Sequence, residues 1–200
     1  MAAHGKILDD EAQDIIFREA RTYSRWQNVD VSEVLIKAIY DLMKFGPTEA
    51  NSCPARFVFV KTPEAKARLK PYLDAGNVQK TMDAPVTVIV AYDTNFFDQL
   101  PHLFPHEPTA RSWYAGKDAK VDLTCKRSGS LQGAYLMVAA RALGLDCGPM
   151  GGFKTAGINQ EFFPDGQWRV NFLCNIGYGD KTAQHPRNPR LGFDEACRII

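Results

Sequence analysis

The segment that most constrains the fold is the β-branched run that follows Pro85. Every residue from 86 to 90 is valine, threonine or isoleucine, which is typical of a strand buried in a protein core. Just before it, Asn77 and Lys80 are three positions apart, a spacing that places both polar groups on one face of a short helix. A lysine directed at the core loses hydration and side-chain entropy. Lys80 therefore either serves a negative ligand or lies on a solvated surface turn.

The remaining elements indicate an α+β fold rather than a regular alternation of strands and helices. Helices are predicted at about 9–20, between Ser32 and Gly46, from Thr62, at about 119–143, near 159–163 and in the tail, and strands at 55–61, 85–92, 145–150 and 168–179. Ser32 and Thr62 are suitable N-caps for two of these helices. The chain has no internal repeat and no low-complexity linker. Residues 1–200 are therefore expected to form a single domain, with a Pro-rich, aromatic excursion at about 93–116.

Charge and hydropathy exclude several classes of function. The 24 Lys and Arg residues nearly balance the 23 Asp and Glu residues, so the sequence predicts neither a nucleic-acid partner nor binding to an anionic membrane. The N-terminal segment becomes acidic where a signal peptide would be apolar, and no apolar run approaches the roughly 18 residues of a membrane helix.

The cysteines and histidines predict no disulfide framework and no metal site. The five cysteines are widely spread and include no C-x-x-C pair, which favours a reduced, cytoplasmic setting. His102 and His106 are four positions apart, but three nearby prolines oppose a regular helix and no third ligand is evident. Cys53 has no assignable basic partner, so a small half-buried thiol is favoured over a nucleophile.

Several short segments carry groups that suit a phosphate or a planar polar ring. The stretch ARTYSRW, residues 20–26, combines two guanidinium groups with two hydroxyls, a plausible phosphate cradle. The alternative for that stretch is a solvated turn whose arginines complement a helix C-terminus. GPMGGF, residues 148–153, has glycines where backbone N–H groups can approach a ligand closely. Each segment is a weak signal alone, and their order along the chain is what carries the argument.

With its segments taken in their order along the chain, the sequence resembles the FMN-dependent nitroreductase family over nearly its whole length. It is more narrowly similar to the malonic semialdehyde reductases of uracil degradation. The segments that carry the narrower likeness are LMKFGPTEANSCPARFVFV, GNVQKTMDAPVTVIVAYD, LPHLFPHEPTARSW, ALGLDCGPMGGF and NIGYGD with PRNPRLGFDEAC.

The resemblance implies a nitroreductase-like α+β fold with a mixed central sheet flanked by helices, in an intertwined homodimer that binds FMN at its interface. NADPH or NADH is the implied hydride donor, and Lys80 and Gly151 are the implied catalytic residues. The implied cofactor-binding residues are Arg21, Thr22, Ser24, Pro47, Thr48, Asn51, Asn77, Lys80, Pro149, Met150, Gly151, Gly152, Arg187 and Arg190. Of these, Pro47, Thr48 and Asn51 are expected to reach the neighbouring subunit's cofactor, and Arg187 is the less certain alignment. A lysine beside the flavin's N1–C2=O edge would favour the reduced, anionic ring.

The sequence departs from the broad family in ways that bear on its substrate. Cys53 and Ala55 stand where many members have a glutamine and a tryptophan, and Gly151 stands where many have an acidic residue. These changes agree with the narrower subgroup and put nitroaromatic reduction in doubt. The expected activity is ping-pong reduction of malonic semialdehyde to 3-hydroxypropionate. A broad nitro- or quinone reductase, a flavin-binding protein without turnover, and more remotely a Cys-dependent hydrolase are the alternatives.

The excursion is expected to act as a lid that determines substrate choice, because it is long for a connection between core elements. Arg111 is the residue expected to bind a substrate carboxylate, with Arg56 as its rival and a surface salt bridge as the alternative. Trp113 lies in the same segment and could cover the flavin.

Overall fold

The computed structural model describes residues 5–200. Residues 1–4, the start of the segment whose composition argues against a signal peptide, lie outside this range. The helices are α1 Asp10–Gln13, α2 Glu33–Met43, α3 Pro63–Leu69, α4 Ala75–Asp83, α5 Leu100–Leu103, α6 Asp118–Ala142, α7 Thr155–Phe162 and α8 Phe193–Ala196. The strands are β1 Ala55–Val60, β2 Val86–Asp93, β3 Asp146–Met150 and β4 Trp168–Gly177.

The four strands form one sheet in the order β1-β2-β4-β3, and every neighbouring pair is antiparallel. The expected α+β class is confirmed, but the expectation of a mixed sheet is wrong for the described strands. Parallel pairing is limited to an isolated bridge between Thr22 and Cys147. The chain around Thr22 touches β3 at this one point and then turns away, since Trp26 already pairs with Gly179. It therefore does not extend into a fifth strand.

Local sequence signals explain most element boundaries. The hydroxyls of Ser32 and Thr62 accept hydrogen bonds from the N–H groups of Leu35 and Ala65, so both predicted N-caps are confirmed. The first predicted helix is shorter than expected and changes into a π-helical turn, Asp14–Arg18.

Of two further boundaries, one differs from the sequence prediction and the other agrees with it. Prolines argued against a regular helix near His102, yet α5 forms a single turn there, because Pro101 is tolerated in the first turn of a helix. The longest helix, α6, ends before Gly144, which adopts a left-handed φ of 78°.

The central strand β2 is buried on both faces, as the β-branched run predicted. Val88 and its neighbours on one face pack with α2 and α6, through Ile39 and Leu136. Ile89, on the opposite face, packs with Leu69 of α3 and Ile158 of α7. Helices on both sides thus fix the sheet, and α3, α4 and α7 share one side of it.

The excursion folds over its own hydrophobic cluster. Phe96, Leu100, Ala110 and Tyr114 are buried against Tyr92 and the first half of α6. No helix among residues 5–200 is long and apolar enough to cross a membrane. Within the same range, no group of three or more His, Cys, Asp or Glu side chains is arranged to hold a metal ion.

Candidate functional site

The segment of residues 21–26 meets the outer edge of β3 at Thr22 and Tyr23 and then passes to the chain that follows β4. The N–H of Tyr23 donates to the carbonyl of Cys147 at 3.0 Å. Gly148 permits this approach, because a Cβ at that position would lie 2.5 Å from the carbonyl oxygen of Tyr23. The predicted phosphate cradle is therefore attached to the sheet rather than forming a free surface turn.

Arg21, Thr22 and Ser24 line a cavity of about 530 Å³ together with Arg187 and Arg190 of the tail. We call it the arginine cavity. Its other lining residues are Phe17, Arg18, Ala20, Arg141, Ala183, Gln184, His185, Pro186 and Asn188. The structure thus brings together five residues that the sequence analysis placed in two segments more than 160 positions apart.

The tail is held in place by main-chain contacts across this cavity. Arg187 donates to the carbonyls of Arg18 at 2.8 Å and Ala20 at 3.0 Å. Arg21 donates to the carbonyl of His185, and Arg190 donates to carbonyls of its own tail. Within residues 5–200, none of these three arginines has a carboxylate partner, whereas Arg18 pairs with Asp10 and Asp14.

A second cavity, of about 540 Å³, adjoins the first at Ser24, which lines both. We call it the lysine cavity, because Lys80 of α4 lines it opposite Arg25 and Trp26. Gly76, Gln79, Asp83 and Asp180 complete its lining. Ser24 of the cradle is therefore common to the cavity lined by the tail arginines and the cavity lined by Lys80.

Buried hydrogen bonds fix the turn of α4 that carries Lys80. The carbonyl of Lys80 accepts from the indole N–H of Trp26 at 3.0 Å and from the side-chain amide of Asn175 at 3.1 Å. The hydroxyl of Thr87 donates to the other end of that amide, Oδ1 of Asn175, at 2.7 Å. The Lys80 main chain is thus bound to both the cradle segment and the central sheet.

The start of α4 contacts the glycine loop after β3. The side-chain amide of Asn77 donates to the carbonyl of Gly152 at 2.6 Å. A Cβ on Gly152 would lie 2.5 Å from that amide nitrogen, so glycine is required for the contact. A Cβ on Gly151 would meet no atom within 4 Å, so space is open in front of it. Pro149 and Met150 precede this loop as the last two residues of β3.

The loop containing Pro47, Thr48 and Asn51 lines neither cavity of its own chain. The amide of Asn51 donates to the carbonyl of Leu103 at 2.7 Å, and the Thr48 hydroxyl accepts from the N–H of Cys53 at 3.2 Å. Cys53 is half-buried, as the sequence favoured. The loop is thus organised, but apart from the two cavities.

The proposed substrate residues also lie outside the two cavities. Arg111 pairs with Asp98 at 2.8 Å, with the side chains 53% and 48% exposed. Arg56 pairs with Asp93 at 2.6 Å in a more enclosed setting, 24% and 7% exposed. Trp113 is half-buried and packs edge-on against Phe104.

Behind the lysine cavity, folding lowers the pKa of a buried lysine, Lys66, that the sequence analysis did not single out. Burial lowers the pKa of Lys66 to about 8, and Asp83 opposes this shift. The ammonium group donates to the carbonyls of Thr81 and Ala84, at the C-terminal end of α4. Lys66 therefore supports the helix that carries Lys80.

Sequence reasoning missed Arg141, Asn175 and Lys66, for different reasons. Asn175 is a single polar residue inside the apolar strand FLCNIG, a signal that was available. Lys66 sits among the charged positions of α3, and Arg141, although it is the one charged residue of the stretch YLMVAARALG, lies in the last helical turn, where an arginine commonly complements the C-terminus. The assembled arrangement offers a cationic cavity for a phosphate, joined to a lysine and a glycine loop that suit a planar polar ring.

Comparisons with known proteins agree with this geometry. A model described as the nitroreductase family matches residues 18–178. A Ralstonia nicotianae protein provisionally named NADH dehydrogenase/NAD(P)H nitroreductase is 58% identical over 193 residues, which cover 96% of this chain and 98% of that protein.

Two crystal structures share the fold at low sequence identity. One is a provisionally assigned nitroreductase from Exiguobacterium sibiricum in complex with FMN, with a TM-score of 0.85, 22% identity and coverage of 98% of this chain and 99% of that one. The other is a provisionally assigned NAD(P)H:FMN oxidoreductase from Staphylococcus epidermidis, with a TM-score of 0.84, 17% identity and full coverage of both chains.

Proposed function

The chain belongs to the nitroreductase family, and from that premise we propose that it is an FMN-dependent NAD(P)H oxidoreductase whose site is the joined arginine and lysine cavities. The observation that carries the proposal is that the cradle and the tail arginines line one cavity and Lys80 lines a second, with Ser24 of the cradle in the lining of both. When bound, FMN supplies the hydride chemistry, accepting hydride from NAD(P)H and passing it to a second substrate. Residues 1–200 are proposed to act as one domain.

The donor set of the arginine cavity fits the phosphate of FMN. Several guanidinium groups line it, and those of Arg21, Arg187 and Arg190 are bonded only to carbonyls among the described residues. A dianion bound there would gain charge-assisted hydrogen bonds without displacing a carboxylate. Thr22 and Ser24 add hydroxyl donors at the end of the cavity nearest Lys80.

The lysine cavity and the glycine loop fit the ring. Lys80 would place its charge beside the ring edge that becomes anionic on reduction, which favours the reduced state. The side-chain amide of Asn77 would hydrogen-bond the same edge either after breaking its hydrogen bond to the Gly152 carbonyl or while keeping that bond and donating its second N–H to the ring. The open space at Gly151 leaves its N–H accessible to a ring atom, and Gly152 keeps the loop close to α4.

We propose a homodimer that brings a second chain to each site. Large apolar side chains are exposed on α2 and α6, among them Val34, Leu42, Leu123 and Leu131, and such a surface suits burial against another chain. The loop containing Pro47, Thr48 and Asn51 lies apart from its own cavities, which suits a contribution to the partner's site.

For the second substrate we propose malonic semialdehyde, reduced to 3-hydroxypropionate, with a broad-specificity nitro- or quinone reductase as the alternative. Its carboxylate would bind Arg111 in competition with Asp98. That half-exposed pair is worth about 0–1 kcal/mol, so it opens more readily than the enclosed pair of Arg56 and Asp93. Arg56 remains the second candidate, and Trp113 would exclude water nearby.

The test is to purify the protein, load it with FMN and add NADPH or NADH without oxygen. Loss of the flavin's yellow absorbance, followed by reoxidation with malonic semialdehyde, is the expected result. A protein that stays colourless and does not bind FMN would contradict the proposed cofactor. Bleaching without reoxidation by any tested aldehyde, quinone or nitro compound would identify a flavin-binding protein without turnover.

A further inference from the structure

Arg141 is the guanidinium of the arginine cavity whose hydrogen bonds are least satisfied. It lies in the last turn of α6, and its Nε is buried without any hydrogen-bond partner among residues 5–200. Its one hydrogen bond, to the carbonyl of Ile16, is long at 3.3 Å. A guanidinium offers five N–H donors, and leaving a buried donor unpaired is costly.

The other arginines of the cavity differ in this respect. Arg187 donates to two carbonyls at 2.8 and 3.0 Å, and Arg190 to two at 2.9 and 3.0 Å. Arg18 is paired with carboxylates. Arg141 alone among them combines a buried, unpaired N–H with a place in the cavity wall.

The charge of Arg141 is also uncompensated by direct contact. No carboxylate among the described residues lies within salt-bridge distance of it. Asp146 is the acidic group that feels its charge, but the Asp146 carboxylate accepts a hydrogen bond from the N–H of Gly179 at 2.9 Å. Arg141 therefore adds to the wall of the arginine cavity a positive charge that no carboxylate among residues 5–200 neutralises by direct contact.

From these observations we infer that Arg141 binds the phosphate monoester that occupies the arginine cavity. The inference rests on the proposed function, which makes that ligand the phosphate of FMN. The resemblance to the family assigns the phosphate to the cradle and the tail, and gives no role to the end of α6. Arg141 approaches the cavity from the end of α6. Its Nε is buried and its Nη1 donates to Ile16, so Nη2, which has no hydrogen-bond partner among the described residues, is the group that would donate to a phosphate oxygen.

Two ligands could supply such a phosphate: FMN itself, or the 2′-phosphate of NADPH. The first measurement is the dissociation constant of flavin-free protein for FMN and for riboflavin, which lacks the phosphate, by quenching of flavin fluorescence. The second is binding of 2′,5′-ADP to FMN-loaded protein by equilibrium dialysis. Arg141→Met, Arg141→Gln and Arg141→Lys are compared with wild type, with Arg127→Met as the control for a lost charge on the same helix outside the cavity.

We expect Arg141→Met to weaken FMN binding by about 10-fold to 100-fold, the loss of charge-assisted hydrogen bonds. Riboflavin binding should be unchanged, and Arg141→Lys should recover part of the loss because it keeps the charge without the fork. Arg141→Gln keeps a donor for the carbonyl of Ile16, so it should lose FMN affinity while retaining the fold. Arg127→Met should bind both flavins as wild type does.

Equal weakening of FMN and riboflavin would overturn the inference, since it would show that Arg141 only supports the structure. So would unchanged FMN affinity in all three Arg141 variants. Loss of 2′,5′-ADP binding with intact FMN binding would overturn it in favour of the nicotinamide cofactor. A wild-type protein that binds neither flavin would contradict the proposed function itself, and the inference with it.

Discussion

The side-chain amide of Asn175 donates to the main-chain carbonyl of Lys80 at 3.1 Å, although the two residues are 95 positions apart. Asn175 is fully buried in β4, and its Oδ1 accepts from Thr87 of β2. This bond connects the central sheet to the one helical turn that directs Lys80 into its cavity. The position of the lysine is therefore set by the sheet as well as by its own helix.

Asn175→Leu should destabilise the protein by about 1–3 kcal/mol, because the Thr87 hydroxyl loses its buried acceptor and the Lys80 carbonyl keeps only the Trp26 indole as a donor. The free energy of unfolding in urea measures this. Asn171→Leu is the matched control on the same strand, since its amide bonds only Ser130 at the surface and should lose less than about 0.5 kcal/mol. Equal losses in the two variants would contradict a special role for Asn175.

Lys66 should make stability rise with pH in the alkaline range. Its pKa is about 8 in the folded chain, against an ordinary value of 10.5 for a lysine in water, so between these values the unfolded chain binds a proton that the folded chain does not. Stability contributed by this residue therefore increases as pH rises through that window.

The comparison of wild type with Lys66→Met isolates this effect from tyrosines and cysteines that titrate in the same range. The free energy of unfolding of wild type, relative to Lys66→Met, should increase by about 2 kcal/mol between about pH 7 and pH 10. If the difference in unfolding free energy between wild type and Lys66→Met stayed constant with pH, folding would not lower the pKa of Lys66, and the prediction would be wrong.

Lys80→Met should lower the midpoint potential of bound FMN more than it weakens binding of oxidised FMN. A positive charge beside the ring interacts most strongly with the reduced, anionic state, and a differential of about 1.4 kcal/mol corresponds to about 30 mV for two electrons. Spectroscopic titration of the flavin-loaded variant against a reference dye measures the shift. Lys70→Met, an exposed lysine outside both cavities, should leave the potential unchanged.

Arg111→Ala should lower kcat/KM for malonic semialdehyde by about 1.5–3 kcal/mol of transition-state binding, the value of a hydrogen bond to a charged group. Reduction of an uncharged quinone should barely change. Asp98→Asn is the control, because it breaks the same surface pair while keeping the guanidinium. Equal losses on both substrates would assign Arg111 to the fold or the flavin rather than to substrate choice.

Tyr114→Phe should loosen the loop at residues 47–53. The Tyr114 hydroxyl donates to the carboxylate of Glu49 at 2.9 Å, and this loop holds Ala50 and Cys53 at left-handed φ values of 51° and 40°, which cost energy in residues other than glycine.

The expected loss from Tyr114→Phe is about 1–2 kcal/mol in unfolding free energy, with faster proteolysis within the loop. Tyr40→Phe is the control, since the Tyr40 side chain is half-exposed and its hydroxyl makes no hydrogen bond among the described residues. A stability for Tyr114→Phe equal to that of Tyr40→Phe would show that the Glu49 contact does not hold the loop.

The features that the sequence alone determined are helix starts, helix ends and a buried strand, all of which depend on local interactions. The N-caps at Ser32 and Thr62, the buried run of β2 and the end of α6 before Gly144 each depend on residues within a few positions of one another. Such patterns therefore predicted these elements and the α+β class, whereas the π-helical turn after α1, the single turn of α5 and the all-antiparallel pairing of the four strands were not predicted. The ordered segments also indicated the family, because their likeness needs no knowledge of how the chain folds.

Only the tertiary structure decided which charged and polar groups meet. Arg187 bonds the carbonyl of Arg18 across 169 positions, Arg141 reaches the same cavity from the end of α6, and Asn175 holds Lys80 from the sheet. None of these pairs has a local signature, because an arginine or asparagine has the same helix or strand preference whether it faces solvent or a cavity. The contacts follow from the antiparallel register of β3 and β4 and from the path of the tail, which depend on burial summed over the whole chain.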